Sequence, residues 1–92
     1  MDIQNRVAVI TGATGGLGST LTRELATRGV RLALLGNNAA RLETLAKSLS
    51  LPDSRLFTHT VNLLDLPETR SAGEAILAKF GQIDILLHVV GG

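Results

Sequence analysis

Eight residues near the start of the chain, Thr11-Gly12-Ala13-Thr14-Gly15-Gly16-Leu17-Gly18, limit what it can fold into more than any other stretch. They follow an apolar run, Val7-Ala8-Val9-Ile10, and lead into a segment with helical patterning from Leu17 to about Arg28. A buried strand that feeds a glycine-rich turn and then a helix is a dinucleotide-binding design. The glycines permit a tight turn and let the backbone come close to a pyrophosphate. The helix start adds unpaired N–H groups and the positive end of its dipole. Gly12, Gly16 and Gly18 are spaced Gly-x-x-x-Gly-x-Gly, with Gly15 in addition. This is neither Gly-x-Gly-x-x-Gly nor a Walker A loop. A Walker A loop needs a Lys after its last glycine, and Ser19-Thr20 follow Gly18 directly, so a nucleotide triphosphatase is disfavoured. The plain alternative is a strand–helix turn that is merely rich in glycine.

The 92 residues suit one small domain, and 45% hydrophobic with 18% charged residues is a globular composition. Nine basic and eight acidic residues leave a formal charge of +1, with no basic block and only Phe57 and Phe80 as aromatics. A charged groove or stacking platform for nucleic acid is therefore not expected. Cysteine is absent, which excludes disulfides and thiolate metal sites and agrees with a cytoplasmic location. Met1 to Arg6 does not read as a secretion signal, and no apolar run approaches the roughly 18 residues of a membrane-spanning helix.

Taken in order, residues 6–11 read as strand one and 17–28 as helix one, with Leu17, Leu21, Leu25 and Ala26 facing the sheet and Thr22, Arg23 and Arg28 facing away. Gly29 is placed to end that helix. Val30 to Leu35 reads as strand two, Gly36-Asn37-Asn38 as a turn with either Asn as a cap, and Ala39 to Leu49 as helix two on Leu42, Leu45, Ala46 and Leu49. Arg55 to Val61 reads as strand three. Asp65 and Glu68 form a capping-box pattern for helix three, which continues on Ala72, Ala75, Ile76, Lys79 and Phe80 to Gly81. Ile83 to Val90 reads as strand four. Strands separated by helices imply an α/β fold with a parallel sheet. Right-handed crossovers favour strand order 3-2-1-4, with helices one and two on one face and helix three on the other. In such a sheet the ligand lies at the C-terminal strand ends, here Gly12, Gly36, Asn62 and Gly91.

Together these features resemble the N-terminal portion of the short-chain dehydrogenase/reductase family, over essentially all 92 residues. The resemblance rests on Thr11-Gly12-x-x-x-Gly16-x-Gly18, on Asn62-Leu63-Leu64-Asp65, and on Phe80-Gly81-Gln82-Ile83-Asp84-Ile85-Leu86-Leu87. It implies a partial, Rossmann-like, doubly wound sheet and residues 1–92 as the N-terminal part of an NAD(P)-binding domain. Where the family usually has Asn-Asn-Ala-Gly, this chain has His88-Val89-Val90-Gly91 and keeps only the glycine. The first family Asn steadies the sheet; His88 reads either as a partial copy of that through its two ring nitrogens or as an ordinary core or edge residue between Leu87 and Val89.

The cofactor implied is NADP or NAD. The residues implied to contact it are Gly12, Thr14, Gly15, Gly16, Leu17, Gly18, Gly36, Asn37, Asn62, Leu63, Val90 and Gly91. Gly36 stands where an acidic residue would favour NAD, which tips the expectation to NADP. The Arg of many NADP-preferring relatives at the position of Asn37 is absent, as is a basic residue at Gly15. Asn62 reads either as an adenine contact or as a turn residue; Asp65 reads as a cap, and His59 as a sheet residue with no metal cluster about it. The family's catalytic Tyr, Lys, Ser and Asn lie beyond strand four, and this chain has no Tyr at all, so no catalytic residue carries over. Two readings remain. The chain is the dinucleotide-binding part of an oxidoreductase acting on a small carbonyl or alcohol, or it is a non-catalytic nucleotide-binding or assembly module. In either case the apolar edge of strand four calls for self-association or for a C-terminal half to cover it.

Overall fold

A computed structural model describes residues 3–89. The elements run β1 (Val7–Thr11), α1 (Gly16–Thr27), β2 (Arg31–Gly36), α2 (Ala39–Leu49), a short 3-10 turn (Asp53–Arg55), β3 (Leu56–Thr60), α3 (Leu66–Phe80) and β4 (Ile85–His88). All pairings are parallel, and the sheet order is β3-β2-β1-β4, as the connection rules require.

The strands alternate their apolar side chains between two faces. Val7 and Val9 of β1 with Ala33 and Leu35 of β2 pack on Ala72, Ile76 and Phe80 of α3. Ala8 and Ile10 with Leu32 and Leu34 pack on the other side, against Leu42 and Leu45 of α2 and the half-buried Leu25 and Ala26 of α1. Each fully buried aliphatic side chain here stabilises the fold by about 1.5–3 kcal/mol. Because β1 and β2 are covered on both faces, they carry no polar alternation; Thr11 is the only polar residue of β1 and is itself buried.

Several local expectations are corrected. Leu17 does not face the sheet and is 62% exposed. The buried line of α1 is Gly18 and Thr22, continued by Leu25, so the stripe lies one residue later than the leucines suggest. Thr22 faces inward at 0% exposure because its hydroxyl is satisfied within the helix, donating to the Gly18 carbonyl at 2.7 Å. In α3, Lys79 is exposed and holds its ammonium 5.8 Å from the Phe80 ring centroid.

The capping box is corrected as well. Asp65 Oδ1 accepts the Glu68 N–H at 3.0 Å, as expected of an N-cap. Glu68 does not reciprocate to Asp65; its Oε1 accepts the Asn62 N–H at 3.1 Å, while the Asp65 N–H donates to the Asn62 carbonyl at 2.9 Å. In α2 the cap is Asn38, whose Oδ1 accepts the Arg41 N–H at 3.0 Å.

β4 is shorter than the apolar run suggests. Asp84 lies outside it and fastens it to the start of β1. The Val7 N–H donates to Asp84 Oδ2 at 2.9 Å, and the Asp84 N–H donates to the Val7 carbonyl at 2.9 Å. Gln82 Nε2 donates to the same carboxylate at 2.7 Å, and Arg6 lies 3.5 Å from its other oxygen. These hydrogen bonds, that to Val7 first, hold the Asp84 carboxyl below the usual aspartate range. At the far edge of α1, Arg55 Nη2 donates to the Ala26 and Val30 carbonyls at 3.0 and 3.2 Å, closing the helix end onto β2.

Candidate functional site

The C-terminal ends of the strands meet at one rim of the sheet. There Gly12 leaves β1 with φ +65°, a left-handed conformation that favours glycine. A Cβ at Gly12 would also collide with the Val89 carbonyl beyond β4. A Cβ at Gly18 would collide with the Gly12 carbonyl and with Ala13, so Gly18 lets the first turn of α1 sit directly on the loop. These two glycines are required by the turn itself.

Gly16 is different. A Cβ built there meets nothing within 4 Å, and its φ is not positive. The fold has no need of glycine at this position; the space in front of it is open. The α1 N-cap is Gly15, which has no side chain to answer the first-turn N–H groups, and no acidic residue occupies that turn. Gly15, Gly16, Leu17 and Gly18 thus present a helix mouth with donors and a positive dipole end to solvent, with Leu17 turned outward. Open space at Gly16 and an uncapped helix start fit a pyrophosphate.

Beside this mouth lies a cavity of about 270 Å³, lined by Gly12, Thr14, Gly36, Asn37, Val61, Asn62, Leu63, Leu64 and Val89. It brings together six of the twelve residues singled out from the sequence. Val90 and Gly91 lie outside the described residues. Val61, Leu64 and Val89 line the same cavity without having been picked out; their signal is adjacency to strand ends, since none carries polar chemistry.

Asn62 is held as a turn residue. Its Oδ1 accepts the Leu64 N–H at 3.0 Å, which leaves a second lone pair on that oxygen and the Nδ2 amide without a partner among the described residues. His59 stacks on Phe57, with ring centroids 5.9 Å apart, as a sheet residue would. No carboxylate of the described residues lines the cavity. Among the described residues, no group of three His, Asp or Glu side chains is placed to hold a metal, and no helix is long and apolar enough to cross a membrane.

Residues 6–92 match the family model described as short chain dehydrogenase. Over 90 residues the chain is 36% identical to (+)-neomenthol dehydrogenase of Arabidopsis thaliana, covering 94% of this chain and 30% of that one. Over 91 residues it is 40% identical to dehydrogenase/reductase SDR family member 7C of Bos taurus, covering 94% and 29%. The crystal structure of 3-ketoacyl-(acyl-carrier-protein) reductase from Brucella melitensis, complexed with NADH, superposes with a TM-score of 0.83 at 28% identity, covering 91% of this chain and 33% of that one. The chain spans about a third of the length of these relatives.

Proposed function

The chain belongs to the short-chain dehydrogenase family, and on that footing we propose that it supplies the dinucleotide-binding part of a cytoplasmic NAD(P)(H)-dependent oxidoreductase acting on a small carbonyl or alcohol. The open space before Gly16, at an uncapped helix mouth, carries this reading. The N–H groups of Gly16, Leu17 and Gly18 hold the linked phosphates. The cavity between Gly36-Asn37 and Asn62-Leu63 takes the adenosine, with Asn62 Nδ2 and the free lone pair of its Oδ1 facing the base. Val90 and Gly91, which follow Val89 in the sequence, are proposed to contact the cofactor as the family resemblance implies. With Gly36 and Asn37 at the end of β2, no carboxylate repels a 2′-phosphate, which favours NADP(H).

The bound cofactor supplies or takes up a hydride. The proton chemistry that accompanies it in the family needs a Tyr, and the chain contains none, so the 92 residues by themselves are proposed to bind cofactor without turnover. Titration of the purified chain with NADH and NADPH tests the reading: saturable binding of at least one supports it, and binding of neither refutes it. Carbonyl reduction by the purified chain would show that the catalytic group had been misplaced.

The second reading is a nucleotide-binding or assembly module without redox chemistry. The intact mass of the native gene product separates the two. A mass near 9.7 kDa supports the module, and a much larger one supports the oxidoreductase. Leu86 of β4, 66% exposed at the sheet edge, is on either reading the surface that a second copy or further chain covers.

A further inference from the structure

Of the large apolar side chains that the described residues expose, Leu66, Leu77, Ile83 and Leu86 gather on one side, where α3 overhangs the unpaired edge of β4. A groove of about 390 Å³ runs between helix and strand there, with Gly73 and Ile76 on the helix wall and Ile83, Leu86 and His88 opposite. Leu66, Arg70, Gly73 and Leu77 stand at i, i+4, i+7 and i+11, so they form one line along α3, and Gly73 places that line at the groove. A Cβ at Gly73 would meet nothing within 4 Å outside its own helix and chain neighbours, so the groove is open at its middle.

The charges beside this line are unpaired. On α1 and α2 the i, i+4 pairs close, Arg28 on Glu24 at 2.9 Å and Lys47 on Glu43 at 3.0 Å. α3 carries the same spacing in the reverse and weaker order, Arg70 before Glu74. Both side chains are exposed, and neither has an ion-pair partner among the described residues.

A second α3, run antiparallel about a two-fold axis level with Ala72, complements this line residue by residue. Arg70 falls opposite the partner's Glu74, and Leu66 opposite the partner's Leu77. Gly73 lies near the crossing, where the lack of a side chain lets two helices approach closely. Each contact occurs twice, as a self-complementary surface requires. Leu86 of the two copies then closes the seam beneath the helices. We propose that the chain forms a two-fold dimer through its α3–β4 face, with α3 antiparallel to α3 of a second copy and Arg70 and Glu74 paired across the axis. This chooses the second copy as the occupant of the β4 edge, and it does not depend on dinucleotide binding.

Sedimentation equilibrium of the purified chain and its variants tests the proposal. The parent is expected to rise with concentration to twice the 9.7 kDa of one chain, and no further. Leu77→Lys and Leu86→Lys, both at exposed positions, are expected to stay monomeric while keeping the far-ultraviolet circular dichroism of the parent. Arg70→Glu and Glu74→Arg each set like charges opposite one another, and each alone should weaken the dimer about tenfold or more. Mixed one to one, these two variants should re-form a dimer of parent affinity, because every charge then meets its opposite. A parent that is monomeric at every soluble concentration overturns the proposal and leaves the face to a further stretch of chain. Association that continues past two copies overturns it as open pairing of the β4 edge. A dimer that tolerates the substitutions, or charge variants that mixing does not restore, overturn the two-fold arrangement. Titration of the same samples with NADH and NADPH reads the dinucleotide proposal separately.

Discussion

Thr11 Oγ1 lies 2.7 Å from His88 Nδ1, joining the C-terminal ends of β1 and β4 at the register where the two residues face each other. The Leu87 carbonyl is 3.5 Å from the same hydroxyl. The imidazole thus ties the edge strand to its neighbour through side chains as well as backbone.

Removing that tie should loosen the edge strand. His88→Ala is expected to lower stability by about 0.5–1.5 kcal/mol, the ordinary net worth of a hydrogen bond, while His88→Asn keeps most of it. Urea unfolding of the three proteins measures this. Equal stability of the Ala variant and the parent would show that the contact is incidental.

Gly18 carries a steeper demand. A methyl group there meets the Gly12 carbonyl and Ala13, both backbone, and neither can move without opening the loop. Gly18→Ala is expected to cost about 1–3 kcal/mol by overpacking. Thermal or urea denaturation reads the loss directly; a variant as stable as the parent would mean that the helix start does not rest on the loop as described.

Asp84 gives the sheet an acid-side dependence. Its carboxyl is held below the usual range chiefly by the Val7 N–H, then by Gln82, with Arg6 adding a smaller pull. A carboxylate depressed in the folded state contributes stability that is complete above its unfolded pKa and is lost as pH falls through the folded one. Asp84→Asn should therefore melt earlier than the parent at neutral pH, and the gap should close below the usual aspartate range. A gap that stays constant with pH would contradict this account.

Asp65 is a simpler case. Its side chain caps α3 through the Glu68 N–H, and Asp65→Ala should cost about 1 kcal/mol, measured by denaturant unfolding. Glu68→Ala would act elsewhere, by freeing the Asn62 N–H at the rim of the cavity.

Much of the architecture was legible because the residues that decide it are local. Apolar runs of strand length, Gly29 and Gly81 at helix ends with φ +79° and +77°, and the caps at Asn38 and Asp65 fix the order of elements. Handedness then fixes the sheet. What failed to show was set by contacts across the fold. Leu17 looked like core because it is leucine at helical spacing, but the helix enters on Gly18, and residue 17 falls on the open side. Thr22 looked like surface because it is polar, but its hydroxyl is satisfied inside its own helix. At the site, the glycine spacing was visible and its division of labour was not. Only the surroundings separate Gly12 and Gly18, which the turn requires, from Gly16, which it does not.

The most direct measurement is calorimetric titration of NADH and NADPH into the parent chain and into Gly16→Val. Outside its own helix and chain neighbours, no described residue stands within 4 Å of the added Cβ, so the variant should fold as the parent does, while its side chain occupies the space assigned to the pyrophosphate. The account predicts saturable binding by the parent and a loss of about tenfold or more in the variant for both cofactors alike. Unchanged affinity in a folded Gly16→Val chain would contradict it.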